Sequence, residues 1–257
     1  RRLIMVTAAK ESAAWRAMPF GSDRAHVDVD FNVPPPYAVT SVLAACLRGP
    51  GDARLAEQQA WGWSVASRLQ GLLAVARATH PADLDISTRC QRCHETLSFS
   101  LPLENFVHAP VSSPLTCEPE GREAFEVRLP TGKDQQRWLE SAGANPITMA
   151  QELVMNESVL AAWDDDLFAA LELKLEQADP YTALNLESEC PHCAAAVSQP
   201  LNLEGALLQR LQSALTERLR DVHRLARVYH WSEAEILALP SGRRDFYLAC
   251  VSRESVQ

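Results

Sequence analysis

Apolar residues recur along this chain with two periods, and the switch between them marks its parts. Alternation with period two, the signature of a strand with one buried face, runs through LDISTR (84–89), LNLESE (184–189) and, after the second thiol pair, VSQPLNL. It also runs through VDFNVP (29–34) and FEVRLP (125–130), each closed by a proline. From residue 206 the spacing changes to three and four. Leu207, Leu208, Leu211, Leu215, Leu219, Val222 and Leu225 form one stripe along a long helix. Ser232 with Glu235 makes a capping box that opens a second helix, SEAEILAL. Pro240-Ser241-Gly242 breaks it, and RRDFYLACVSRE forms a third.

The strand-like segments come in two copies. Leu84, Cys90, Cys93, Ser98, Leu101, Leu103 and Glu104 each meet an identical residue one hundred positions on, without a gap. Trp63 and Trp163 share that offset, and each opens a helix-like stretch leading to a proline, Pro81 or Pro180. These echoes predict an α+β fold made of two duplicated strand–helix–zinc-knuckle halves around a zinc-ribbon-like centre, with a three-helix appendix. The parts are an N-terminal arm (1–24), a first half (25–118), a second half (119–206) and a C-terminal interaction segment (207–257).

Seven cysteines leave one unpaired, and four of them form two CxxC pairs. A CxxC turn sets two sulfurs on one side of a bend, two corners of the tetrahedron that Zn²⁺ prefers. The favoured reading joins Cys90, Cys93, Cys190 and Cys193 on one structural zinc. The 96 residues between the pairs far exceed the about 15–20 of common zinc ribbons. Metal-free thiols packed as core, separate sites using His94, His192 or Cys117, and redox chemistry therefore stay open. The redox reading draws on Cys190-Pro-His-Cys193, but a reactive dithiol needs a helix N-terminus, and Val197 and Pro200 leave little room for one. Arg89, Arg92 and His192 can offset the charge of four thiolates. Cys46 and Cys250 read as small apolar residues on buried helix faces.

Other motifs carry less. Leu129-Pro130-Thr131-Gly132-Lys133 lacks the leading glycine and trailing Ser/Thr of a phosphate loop, and reads as a strand-to-helix turn. Asp164, Asp165 and Asp166 read as acidic first-turn residues of a helix. His223 and His230, seven apart on the long helix, read as interfacial histidines. No nucleophile–base spacing points to an enzyme.

A net charge of −9 disfavours nucleic acid as a partner. The one arginine-rich stretch, Arg210 to Arg227, is interleaved with Glu217 and Asp221 and reads as a solvated helix face. With no run of eighteen apolar residues, membrane insertion is not expected. The charged start RRLIMVTAAKESAAW does not read as a signal peptide, so the cytosol is the default compartment.

FEVRLPTGKD (125–134), the ADP-then-CPHC block (178–193), LNLEGALLQRL, and above all DVHRLARVYHWSEAEILALPSGRRDFYLACV (221–251) resemble a family of contractile-tailed phage baseplate proteins. These are the hub subunit or hub assembly chaperone group, also encoded in phage-derived contractile injection system clusters. The likeness covers about 119–252. Family members often carry CPxCG, where this chain has Ala194 at the glycine position. The resemblance implies a non-enzymatic part of a contractile tail machine, acting in the bacterial cytoplasm during assembly or as part of the particle, with baseplate or tail-machine proteins as partners and no small-molecule substrate. Tyr229, Trp231, Arg243, Arg244, Phe246 and Tyr247 are then the candidate partner contacts, being residue types enriched at interface anchors. The competing readings are a zinc-ribbon regulatory or nucleic-acid-binding module and a CxxC thiol-disulfide oxidoreductase.

Overall fold

The computed structural model describes residues 15–21, 24–106, 111, 113–141, 143–182 and 184–254. Helix dominates, and every sheet among the described residues is a two-stranded antiparallel pair, so the fold is α+β. Most of the expected N-terminal arm lies outside the described residues. Its visible end is docked: β1 (Arg16–Ala17) pairs with β2 (Leu47–Arg48), and Trp15 meets Trp63 edge to face.

The main core is a three-helix contact. Helix α1 (Arg24–Val27) leads to α2 (Pro35–Cys46), which starts on prolines placed where their missing N–H costs nothing. After α3 (Glu57–Gly62), Ser64 caps α4 (Val65–Thr79) by accepting the Ser67 amide. Val39, Val42 and Leu43 of α2 and Leu69, Leu72 and Leu73 of α4 bury against one long C-terminal helix. VDFNVP forms no strand. Val29, Phe31 and Val33 pack irregularly on this core, and no strand among the described residues pairs with them to complete a ladder. FEVRLP does form a strand, β6 (Phe125–Val127), since β5 (Leu115–Cys117) pairs with it. That hairpin spans the predicted 118/119 boundary.

The second half packs differently. Thr131 and Asp134 form a capping box at α5 (Gly132–Glu140), and Asn145 caps α6 (Pro146–Gln151). After α7 (Glu157–Ala161), Asp164 accepts the Leu167 amide at the start of α8 (Asp165–Ala178), with Asp165 and Asp166 in the first turn. Only Leu167 and Leu171 of α8 are buried, against Phe125, Val127, Cys117 and Ala150. Helix α4, one hundred residues earlier, buries far more of its length. Backbone bonds from Val65 N–H to Pro130 O and from Gly132 N–H to Trp63 O tie the two halves together.

Two hairpins share one register. In β3 (Leu84–Arg89) with β4 (Thr96–Leu101), Leu84 faces Leu101 and Arg89 faces Thr96. In β7 (Leu184–Glu189) with β8 (Ala196–Leu201), every partner is the residue one hundred positions later. Asn202 then caps α9 (Leu203–Tyr229). Leu203 to Leu215 of α9 join the main core, while Val222 and Leu225 join a separate cluster with α10 (Glu233–Leu237) and α11 (Ser241–Glu254). The predicted start of the appendix at 207 therefore falls inside a continuous helix. Leu219, a member of the apolar stripe, is 40% exposed because it lies where α9 passes from one core to the other.

Candidate metal centre

The two hairpin turns meet. The Sγ atoms of Cys90, Cys93, Cys190 and Cys193 all lie within 4.8 Å of one another. Cys90 Sγ is 3.7 Å from Cys193 Sγ, and Cys93 Sγ is 3.6 Å from Cys190 Sγ. A regular tetrahedron of sulfurs at the zinc distance has an edge of about 3.8 Å. A disulfide would need about 2.05 Å, and all four cysteines are free. The quartet is compatible with one four-coordinate metal.

Each turn is built the same way. The Cys90 N–H donates to Glu95 O at 2.9 Å, and the His94 N–H donates to Cys90 O at 2.9 Å. Cys190 N–H to Ala195 O (2.9 Å) and Ala194 N–H to Cys190 O (2.8 Å) repeat the pattern. Closing the bend requires left-handed backbone at His94 (φ +62°) and Ala194 (φ +54°). Ala194 thus takes the conformation that glycine adopts at least cost, and the turn forms without it. Leu97, Val197 and Phe99 wall the sulfurs in, and Cys90 and Cys190 are each 1% exposed. Across the interface Thr88 Oγ1 donates to Gln199 Oε1 at 3.1 Å.

The local charges favour a cation. Amides of Cys93 and Arg92 donate to the Cys90 sulfur and hold its thiol down at about 6. The Glu95 amide likewise favours the Cys93 thiolate, but burial and hydrogen bonds with Cys190, Cys193 and Cys90 push that thiol up to about 12. A divalent ion at the centre would favour the thiolate form of each sulfur, because each would then face positive charge. Arg89, Arg92 and His192 are exposed around the turns.

The other candidates separate from this centre. Among the described residues the four cysteines are the one group of three or more His, Cys, Asp or Glu placed to share an ion. Cys117 is buried in β5, where burial raises its thiol. His94 and His192 are exposed, as are His223 and His230, and His230 is the left-handed cap of α9. Cys46 is buried in α2 and Cys250 half-buried on α11. Neither CxxC opens a helix: each sits in a turn between strands.

The candidate partner residues divide. Tyr229 stacks on Trp231 (4.7 Å), and Tyr247 meets both edge-on, so these three rings hold the appendix together. Phe246 is 64% exposed and Arg243 is exposed, whereas Arg244 is buried at 3%. Leu139, Ile147, Met155, Leu160 and Leu173 of the second half are also exposed, so apolar surface is not confined to the appendix.

Sequence reasoning missed Arg68. Fully buried on α4, it donates to Ala60 O (2.8 Å), Pro36 O (2.6 Å) and Thr40 Oγ1 (3.0 Å), and lies over the Trp61 ring. Burial draws its guanidinium down to about 10, with Glu204 acting the other way. The only signal was a charged residue beside the apolar stripe of VASRLQGLL. Arg210 begins the stretch expected to form a solvated helix face, yet it donates to the carbonyls of His80, Ala82 and Asp83, sealing the C-terminal end of α4.

Comparison with protein-family models, curated proteins and solved structures found no match. No helix among the described residues is long and apolar enough to cross a membrane.

Proposed function

We propose that this chain is a non-enzymatic structural or assembly component of a contractile tail baseplate, with one structural zinc ion held by Cys90, Cys93, Cys190 and Cys193. The observation that carries the reading is the reciprocal pairing of sulfurs from two turns one hundred residues apart. Four thiolates fill a tetrahedral ion, leaving no open position for substrate. The ion's contribution is purely structural, joining two hairpins that also meet through Leu97, Phe99 and Val197 and the Thr88–Gln199 bond.

Common register and common turn geometry support an origin by duplication, with the hairpins as zinc knuckles facing across a pseudo-twofold axis. The unequal packing of α4 and α8 fits copies that have diverged, the first kept as core and the second left with an apolar exterior. The placement of both CxxC pairs between strands, away from helix dipoles, weighs against a thiol-disulfide enzyme. Arginines of α9 that bond carbonyls (Arg210) or Asp221 (Arg224) are unavailable to phosphates, which weighs against nucleic acid.

The baseplate assignment rests on the likeness over 119–252. Its most specific segment, 221–251, folds as a helical cluster presenting Phe246 and Arg243 to solvent, the pattern of an anchor with a polar neighbour. The experiment is removal of the gene from a strain that produces contractile particles, followed by electron microscopy and complementation. Loss of assembled baseplates is expected, restored by the native gene and not by F246S/R243E. Normal particles without the gene would sink the assignment.

A further inference from the structure

A second site lies away from the cysteines, in a cleft of about 670 Å³ between the main core and the appendix. Its walls are the end of α4 (Thr79, His80), the middle of α9 (Glu217, Arg218, Asp221), and the α10–α11 link through Pro240 and Ser241, with Arg244 behind them. Arg244 is 3% exposed, yet among the described residues its guanidinium makes no hydrogen bond or ion pair, and its buried Nε has no partner. Arg218 is nearly as idle: its Nε is also buried without a partner, and its one ion pair, to Asp221, is long at 3.9 Å. Asp221 is held more closely by Arg224, at 2.7 Å.

Burying a guanidinium without a partner is strongly unfavourable, so a protein that keeps one normally supplies it with an anion. Here both idle guanidiniums line the same cleft, and the N-terminus of the 14-residue α11 adds the positive end of its dipole and the amides of Ser241 and Gly242, while those of Arg243 and Arg244 donate to Pro240 O. Glu217 also lines the wall, while the Asp221 charge is offset by Arg224. Two guanidiniums against one unneutralised carboxylate leave a surplus of one positive charge. Asp245, the next residue along α11, is exposed to solvent, where water screens it. Phe20, Leu237 and Leu239 supply apolar wall beside the charge.

We propose that this cleft binds a carboxylate, with Arg218 and Arg244 donating to its oxygens and the α11 N-terminus facing it. A single negative charge fits the surplus, whereas a phosphate dianion would add repulsion from Glu217. The source is either a small free acid or an acidic side chain of another protein. The proposal stands independently of the baseplate reading.

NMR titration of the native chain tests it, following the arginine Nε–H resonances at constant ionic strength. The probes are acetate, a blocked tripeptide with one central glutamate, and inorganic phosphate. Saturable shifts of Arg218 and Arg244 with both carboxylate probes are expected, with R218Q weakening them about tenfold or more, the loss typical of a charge-assisted hydrogen bond. R244M should abolish them and, without ligand, melt no lower than the native chain, because it removes an uncompensated buried charge. If R244M misfolds, R218Q alone decides, since that side chain is 23% exposed and tolerates replacement more easily. Tighter binding of the tripeptide than of acetate identifies a protein side chain as the source, and equal binding a free acid. Shifts that fail to saturate, that persist in R218Q, or that are stronger with phosphate overturn the proposal.

Discussion

The sulfur of Cys90 lies 3.7 Å from that of Cys193, a residue 103 positions further along the chain. Because both turns are needed to complete one tetrahedron, the proposed metal binds all or nothing. C90S should reduce bound metal from one ion per chain to nearly none, and C193S should do the same. Two independent sites would instead leave about half. Elemental analysis of the purified variants reads this directly, and a shared loss of thermal stability should accompany it, since a structural zinc contributes about 10–16 kcal/mol in small zinc-finger peptides.

Ala194 carries φ +54° where the matching turn has His94 at +62°. An alanine in this region is disfavoured relative to glycine, whose mirror-image freedom removes the Cβ conflict. A194G should therefore stabilise the metal-loaded protein by roughly 0.5–1 kcal/mol, net of the extra entropy of glycine in the unfolded chain. Denaturant titration of the two loaded proteins measures it. A loss of stability would show that the alanine methyl contributes packing that outweighs its strain.

Each CxxC turn and its hairpin were legible because both signals are local: two residues between the thiols and a period of two in the flanks; joining the two turns into one quartet drew on the hundred-residue echo instead. The capping box at Ser232 was legible for the same reason, whereas Asp164, expected in the first turn with Asp165 and Asp166, is the residue that caps it. What the sequence could not show depended on partners remote in the chain. FEV becomes a strand because Leu115–Cys117 lies beside it, whereas VDFNVP, with an equally good alternation, pairs with no strand among the described residues. The hundred-residue echo pointed to equivalent halves, but α4 lies between α2 and α9 while α8 covers only a small core. Arginines were the least legible residues. Arg68, Arg210 and Arg244 look alike in sequence, and only the packing shows the first buried among carbonyls, the second sealing a helix end and the third lining a cleft.

Gly132 opens α5 directly against the buried Arg68. A Cβ at this position would sit 2.5 Å from Arg68 Nη1 and 2.8 Å from its Cζ. The guanidinium cannot retreat without giving up its bonds to Ala60 and Pro36. G132A should thus cost about 2–3 kcal/mol, in the range of overpacked sites with a broken buried hydrogen bond, although alanine is ordinarily the better helix former. The opposite result, stabilisation by the methyl group, would mean that Arg68 is free to move. Thermal or urea unfolding distinguishes the two.

Asp134 gives a pH dependence with a definite sign. Burial alone would raise its carboxyl, but hydrogen bonds from Arg128 (2.6 and 2.9 Å) and from the Thr131 amide and hydroxyl hold it well below the usual carboxylate range. Arg137 adds a further contact at 2.9 Å. With the folded value depressed, the unfolded chain binds the proton first. The stabilisation is complete above the unfolded value of about 3.9 and is lost as pH falls through it toward the folded value. D134N preserves shape and removes the charge. Arg128 and Arg137 are 34% and 50% exposed, so water screens the pair and the loss near pH 7 should be only about 2 kcal/mol. As pH falls from about 5 toward 2 the native protein should lose this advantage while D134N does not, and the two unfolding midpoints should converge. Midpoints that stay equally far apart across that range would show that the Asp134 charge contributes nothing and that the asparagine acts through lost hydrogen-bond geometry alone.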